Sequence, residues 1–300
     1  MSDIFDVVII GSGPAGLTAG VYTSRGNATT LLLGGSKWGG QLMFTSTVDN
    51  FPGFPEGVMG PDLMVRLKDQ AVRFGVDFRP LDVTGVNFQK SPFEITAGSE
   101  TFLGKTVIVA TGAETVWLDA PGVSQFIGRG ISSCAPCDAP FFRDKKVAVV
   151  GGGDSAMEEA LYLTKYAKEV FVIHRRDTFR ASKIMIDKVL NNPKIKVMWN
   201  TEILGVSGQE TVNSLKLKNN KTQDIKEEAF DGLFVAIGHK PMSDLFKGQL
   251  ETDEKGFLLP KQKVPGVFIA GDVHDRIYKQ AVTAAGFGCM AAMDALTFLG

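Results

Sequence analysis

Val7-Val8-Ile9-Ile10-Gly11-Ser12-Gly13-Pro14-Ala15-Gly16 is the stretch on which the fold turns. Four apolar residues in a row, without polar alternation, read as a parallel strand buried on both faces. Glycines at three spaced positions then give a tight turn into a helix that runs from Pro14 to about Arg25, with proline favoured near its start. Thr29 to Leu33 reads as the next strand. The same pattern returns at Lys146 to Val150, followed by Gly151-Gly152-Gly153-Asp154-Ser155-Ala156, a helix from Ser155 to Tyr166 and a strand from Val170 to Ile173. Two strand–glycine turn–helix–strand units in one chain predict an α/β protein with two Rossmann-like, three-layer dinucleotide-binding domains.

Outside these units, residues 61 to 75 read as a helix, and several short strands between 77 and 109 end in Thr106-Val107-Ile108-Val109-Ala110. Gly232 to Ile237 and Val267 to Ala270 read as further strands, and Gln280 to Phe298 as a helix. The last two elements have no glycine cradle of their own, so they are expected to complete the first domain. That makes it discontinuous: residues 1–115 and 246–300, with the second domain, 116–245, inserted.

A length of 300 residues suits two domains, since domains typically run to about 100–200 residues. The 44% hydrophobic content supports sizeable cores, and a net charge of −1 argues against nucleic acid or an anionic membrane as main partner. No apolar run is expected to reach the ~18 residues of a spanning helix. The N-terminus shows neither a basic leader nor an apolar h-region, so a cytoplasmic location is expected. Only three cysteines occur; a C-x-x-C pair in a reducing compartment points to redox chemistry or metal binding rather than a structural staple.

That pair is Cys134-Ala135-Pro136-Cys137, with Asp138 directly after it. Thiolate is the working species of such motifs, and a carboxyl beside the second sulfur can trade protons with it. Half a zinc site is the competing reading, but Cys289, His174, His239 and His274 do not supply the missing ligands at recognisable spacing. Cys289, in an alanine-rich helix, reads as a buried small hydrophobe. The zone after the second cradle is His174-Arg175-Arg176-Asp177-Thr178-Phe179-Arg180. Guanidinium groups there replace the acidic residue that binds a ribose 2′-hydroxyl, and favour a 2′-phosphate, hence NADPH over NADH. The zone after the first cradle, Leu33-Gly34-Gly35, has no acid. Gly271-Asp272 places a carboxylate at a strand's carboxyl end, where ligands of such sheets bind; a turn or cap role is the alternative.

Taken in order, Gly11 to Gly16, Gly39-Gly40-Gln41-Leu42, Asn50-Phe51-Pro52-Gly53, Ala110-Thr111-Gly112, Cys134 to Asp138, Gly151 to Ala156, His174 to Arg180, Gly238-His239, Gly271-Asp272 and Tyr278-Lys279-Gln280-Ala281 resemble the low-molecular-weight thioredoxin reductases along essentially the whole chain. The resemblance implies FAD held by Gly11, Gly13, Pro14, Ala15, Gly16, Gly40, Gln41, Asn50, Val83, Ala110, Thr111, Gly112, Gly271, Asp272, Gln280 and Ala281. It implies NADPH held by Gly151, Gly152, Gly153, Asp154, Ser155, His174, Arg175, Arg176, Arg180, Ile237 and Gly238. Cys137 would exchange electrons with the flavin, Cys134 would attack the disulfide of a thioredoxin-like partner, and Asp138 would be the acid/base. Arg129 matches a partner-docking position. The resemblance further implies a homodimer and rotation of one domain against the other between half-reactions.

The chain departs from the family's pattern at Pro136, at Ala139-Pro140 where a glycine is usual, and at Met242 where asparagine is usual. Proline removes an N–H and fixes φ, so a stiffer dithiol loop and an altered aim for Asp138 are expected. Two other readings share these motifs: a flavin-dependent dithiol oxidase, which would not need the arginines, and a nucleotide-binding redox sensor without turnover.

Overall fold

The structure, a computed structural model, describes residues 4–45 and 47–300. The chain divides into two compact units, 1–114 with 240–300, and 115–239. The second crossing therefore falls at 239/240 rather than at 245/246. Local bonds explain the earlier position: Met242 N–H donates to Gly112 O at 2.9 Å, and the Thr111 hydroxyl donates to Met242 O at 2.7 Å. Both tie the segment after 240 to the first unit.

In the first unit the sheet order is Asp77–Arg79, Thr30–Leu33, Ile4–Ile10, Glu100–Val109, Phe93–Ala97, Val83–Asn87, and Val267–Ile269 also pairs with the end of Glu100–Val109. The first four strands and Val267–Ile269 are parallel; Phe93–Ala97 and Val83–Asn87 are antiparallel. The apolar run Val7–Ile10 serves two cores, as its period of two demands. Val7 and Ile9 join helices Pro14–Arg25, Gly60–Arg73 and Ala281–Leu299, while Val8 and Ile10 face Phe93, Ile95, Phe102, Phe246 and Leu258.

The second unit repeats this plan. A five-stranded parallel sheet runs Ile131–Ser132, Gly232–Ala236, Lys146–Gly151, Glu169–Ile173, Ile195–Met198. Val147 and Val149 pack on the helix side with Met157, Ala160, Leu163 and Val189. Ala148 packs on the other side with Ile203, Leu215 and Leu217. Those three belong to an antiparallel sheet, Thr201–Gly208, Val212–Asn219, Ile225–Ala229, for which the sequence reading had no expectation. The second unit therefore has helices, a parallel sheet and a separate antiparallel β layer, whereas in the first unit the antiparallel strands extend the one seven-stranded sheet and their Phe93 and Ile95 pack against Val8 and Ile10 on its other face.

Helix Ala281–Leu299 corrects a second expectation. Its 19 residues are long and apolar enough, by length and composition, to cross a membrane. One face is a core face: Gly288, Ala291, Ala292 and Ala295 are buried, and a Cβ on Gly288 would lie 2.1 Å from Ala15 O. Val282, Met290, Met293 and Phe298 are exposed on it. Cys289 is only half-buried, not the buried hydrophobe expected.

Candidate functional site

The first cradle is shaped by contacts that forbid side chains. A Cβ on Gly11, whose φ is +112°, would lie 2.3 Å from Ala110 O, and one on Gly16 would lie 1.9 Å from Gly11 O. Only glycine allows the strand end and helix to approach so closely. At Gly13 a Cβ would meet nothing within 4 Å. That open position sits at the start of helix Pro14–Arg25, which has no side-chain cap. Uncapped N–H groups and the helix dipole there favour a phosphate. The buried Ser12 hydroxyl donates to Gly34 O at 2.6 Å and accepts from Gly39 N–H at 3.0 Å, which binds the glycine-rich loop to the cradle. A Cβ on Gly40 would come within 3.5 Å of Gly13 Cα.

Several sequence-predicted residues lie in the same unit. Asn50 donates to Gln280 Oε1 at 3.2 Å, and Gln280 caps helix Ala281–Leu299 in a reciprocal box with Thr283. Gln41 reaches Ala113 O at 3.4 Å. Val83 is part-buried at the start of strand Val83–Asn87, opposite Ala97 of the antiparallel strand Phe93–Ala97. Asp272 is part-buried, and its Oδ1 is covered yet has no hydrogen-bond partner. Desolvation, reinforced by the nearby Asp275 carboxylate and only partly opposed by the Lys279 ammonium, pushes its pKa up to about 6. A covered carboxylate oxygen without a donor is costly, and the hydroxyl-rich ribityl chain of a flavin supplies donors. These residues fit FAD.

The second cradle follows the same steric rule. A Cβ on Gly151 would lie 2.4 Å from Ala236 O, one on Gly152 2.2 Å from the His174 ring, and one on Gly153 in open space. His174 is buried, hydrogen-bonded to Thr178 O at 3.0 Å, and desolvation lowers its pKa. It shapes the floor under Gly152 rather than standing open to a ligand. Asp154, first in helix Asp154–Leu163, accepts from the Ser182 N–H and hydroxyl at 2.9 and 2.7 Å. Arg180 N–H donates to Gly152 O at 2.7 Å, so the arginine segment is latched to the glycine turn. Arg175, Arg176, Arg180 and Ser155 are exposed, and among the described residues none of the three arginines pairs with an acidic side chain. Unpaired guanidinium groups beside a glycine turn fit a 2′-phosphate. Ile237 is exposed and Gly238 has φ +132°, with open space at its Cβ.

Cys134 and Cys137 are joined as a disulfide, with Cα atoms 5.3 Å apart. The turn is a single helical loop, Ala135–Asp138, in which Cys137 and Asp138 N–H both donate to Cys134 O, at 3.2 and 3.1 Å. Pro136 is exposed in the first turn, where its missing N–H has no intrahelical partner to lose. Ala139–Phe142 continues as a 3-10 turn. The buried Ser132 hydroxyl accepts from Cys134 N–H at 3.0 Å and holds Asp138, whose pKa burial nevertheless pushes up. Two residues here escaped the sequence reading. Ser132 lies just before the motif in a two-residue strand, and Glu159, on helix Asp154–Leu163, accepts from Ala135 N–H at 2.5 Å. Only the fold brings Glu159 to the dithiol turn; the run Glu158-Glu159 alone reads as a solvated helix face. Arg129 is exposed in a neighbouring turn, its guanidinium donating to Gln125 O at 2.6 Å.

Comparison with known proteins agrees with this geometry. Residues 5–288 match the family model described as pyridine nucleotide-disulphide oxidoreductase. A thioredoxin reductase from Chlamydia pneumoniae is 49% identical, covering 98% of this chain and 98% of that protein. Thioredoxin reductase 2 from Arabidopsis thaliana is 48% identical over 98% of this chain and 82% of its own length. Among solved structures, thioredoxin reductase from Giardia duodenalis superposes with a TM-score of 0.94 at 40% identity, covering 99% of each chain. That from Streptococcus pyogenes gives 0.95 at 35% identity, over 100% of this chain and 99% of the other. The chain belongs to the pyridine nucleotide-disulphide oxidoreductase family and, within it, to the thioredoxin reductases.

Proposed function

We propose that this protein is a thioredoxin-disulfide reductase that takes electrons from NADPH and delivers them through Cys134 and Cys137 to a thioredoxin-like protein. The observation that carries the reading is the joined Cys134–Cys137 pair, hydrogen-bonded to Ser132 and flanked by Asp138, in a unit whose glycine cradle is lined by unpaired arginines. FAD, bound at the first cradle, supplies hydride acceptance from NADPH and two-electron donation to the disulfide. Gly11, Gly13 and the helix start at Pro14 hold its pyrophosphate, and Asp272 with Asn50 and Gln280 orients the rest. Arg175, Arg176 and Arg180 hold the NADPH 2′-phosphate and select it over NADH. Asp138 keeps a proton within reach of the sulfurs because desolvation disfavours its charged form. Cys134 attacks the partner disulfide, and Arg129 helps to dock the partner. Alternation of the two units about the crossings at 114/115 and 239/240 is part of the same reading.

A homodimer is supported by the exposed Val282, Met290, Met293 and Phe298 on one helix. Such an apolar face is suited to a second copy of itself. A cytoplasmic setting is supported by a dithiol motif that needs reducing surroundings to cycle. The test is a Cys137→Ser variant, which is expected to be yellow and to be bleached by NADPH, yet to lose thioredoxin reduction by more than about 1,000-fold. Full thioredoxin turnover by that variant would overturn the assignment.

A further inference from the structure

Glu159 is a titratable side chain that the mechanism above leaves without a role. It belongs to helix Asp154–Leu163, whose first residues form the NADPH cradle, and its Oε2 takes the N–H of Ala135, inside the C-x-x-C loop, at 2.5 Å. The group is therefore joined at one end to the nucleotide helix and at the other to the dithiol turn. The charged groups that act on it are both carboxylates. Desolvation by burial pushes its pKa up to about 7, and the carboxylates of Asp138, on the dithiol turn, and Glu158, on its own helix, add their repulsion. The Ala135 N–H opposes this and favours the carboxylate. No lysine or arginine pairs with it among the described residues. Ser132, from the strand before the motif, hydrogen-bonds Asp138. Two carboxyl groups in one part-buried corner, with no cation between them, do not both ionise easily.

We propose that Glu159 is a positioning residue for the dithiol: it fixes the Cys134–Cys137 turn through the Ala135 amide and sets, by its own charge state, how readily Asp138 and the reduced thiols release protons. The proposal rests on the dithiol reading above. Its balance is simple. Two electrons from NADPH break the Cys134–Cys137 bond and leave two sulfur anions, of which one takes a proton from Asp138. Cys134 thiolate then forms a bond to one partner sulfur while the partner's own S–S bond breaks, and the departing partner thiolate takes a proton from solvent. Cys137, its proton returned to Asp138, next attacks the Cys134 sulfur, which restores the original disulfide and releases the partner's second sulfur as a thiolate that solvent protonates. Throughout, a neutral Glu159 favours the anionic sulfurs and a charged one disfavours them.

A merely structural role makes a different forecast, because a glutamine Oε1 accepts the Ala135 N–H as well as a glutamate does. The experiment is the pH dependence of iodoacetamide alkylation of Cys134 and Cys137, read by mass spectrometry on the flavin-loaded protein after phosphine reduction. Reduction in that way makes the outcome independent of NADPH and of turnover. The wild-type profile is expected to show an additional ionisation near neutrality beside that of the thiols. Glu159→Gln is expected to lose that ionisation and to move the thiol midpoint down by on the order of one pH unit. Glu159→Asp is expected to keep an ionisation, displaced. A Glu159→Gln profile superimposable on the wild type overturns the proposal and leaves Glu159 a cap. Should that variant fail to fold, a wild-type profile with thiol ionisations alone overturns it equally. Thiols that titrate as proposed in a protein that reduces no thioredoxin would instead count against the functional reading.

Discussion

A Cβ on Gly11 would meet Ala110 O at 2.3 Å in the first cradle, and a Cβ on Gly151 would meet Ala236 O at 2.4 Å in the second. Each first glycine thus abuts the carbonyl that ends the neighbouring parallel strand, and each third position, Gly13 or Gly153, opens to space. The backbone logic of the two is one solution used twice. The surroundings differ. The first cradle has an unpartnered, covered carboxylate oxygen on Asp272 and no arginine segment; the second has three exposed arginines on a segment latched to its glycine turn through the Arg180 N–H. Pyrophosphate recognition is carried by backbone and is therefore shared, whereas identity of the nucleotide is carried by a few side chains placed around it.

This comparison can be broken most forcefully at the glycines. Gly16→Val puts a branched side chain where even a Cβ would lie 1.9 Å from Gly11 O. It is expected to cost roughly 4 kcal/mol or more of stability and to abolish flavin retention, measured by denaturant titration and by the flavin absorbance of the purified protein. Next in size is the loss of the arginines that separate the cradles. Arg175→Ala with Arg176→Ala is expected to raise the NADPH KM by about 100-fold or more, two charge-assisted hydrogen bonds at roughly 1.5 kcal/mol or more each. The NADH KM is expected to stay as it was; an equal rise for both nucleotides would remove the 2′-phosphate role.

Asp272 sharpens the contrast from the other side. Its folded pKa of about 6 lies above the ordinary 3.8. The folded, flavin-stripped chain therefore binds this proton more tightly than the unfolded one. The associated stability is fully present below about pH 4 and is lost as pH rises through about 6, by roughly 2–3 kcal/mol at most. Asp272→Asn is expected to flatten that step, so that at pH 8 the stripped variant is more stable than the wild type, while its flavin affinity falls. Unfolding curves of stripped protein at pH 5 and pH 8 check the sign. The smallest effect is expected at Gly153→Ala, which meets open space: stability within about 0.5 kcal/mol of wild type, with a measurable loss of NADPH affinity only.

Much of this was legible in residue order. The apolar run Val7–Ile10 and its counterpart Lys146–Val150 each announced a buried parallel strand, and the glycine spacing announced what the strand led into, because such turns tolerate only glycine whatever surrounds them. The helix expected at 61–75 stands at Gly60–Arg73, and that expected from Gln280 stands at Ala281–Leu299. The strands Thr201–Gly208, Val212–Asn219 and Ile225–Ala229 were not legible. Their polar alternation, as in Val212-Asn213-Ser214-Leu215-Lys216-Leu217, is a local signal that marks a half-buried surface without saying which sheet it covers. The second crossing was not legible for a related reason: the Thr111–Met242 bond that ties the segment after 240 to the first unit joins residues 131 apart in sequence.

The sequence by itself determined the two cradles, the dithiol and the arginines after the second cradle, since each depends on residue types at short spacing. Only the tertiary structure decided that His174 lies buried beneath Gly152, that Asp272 has a covered oxygen without a donor, and that Glu159 reaches the Ala135 amide. Burial and the company of like charge are properties of chain segments distant in sequence brought side by side, and the behaviour of a carboxyl group is set by that company rather than by its neighbours along the chain.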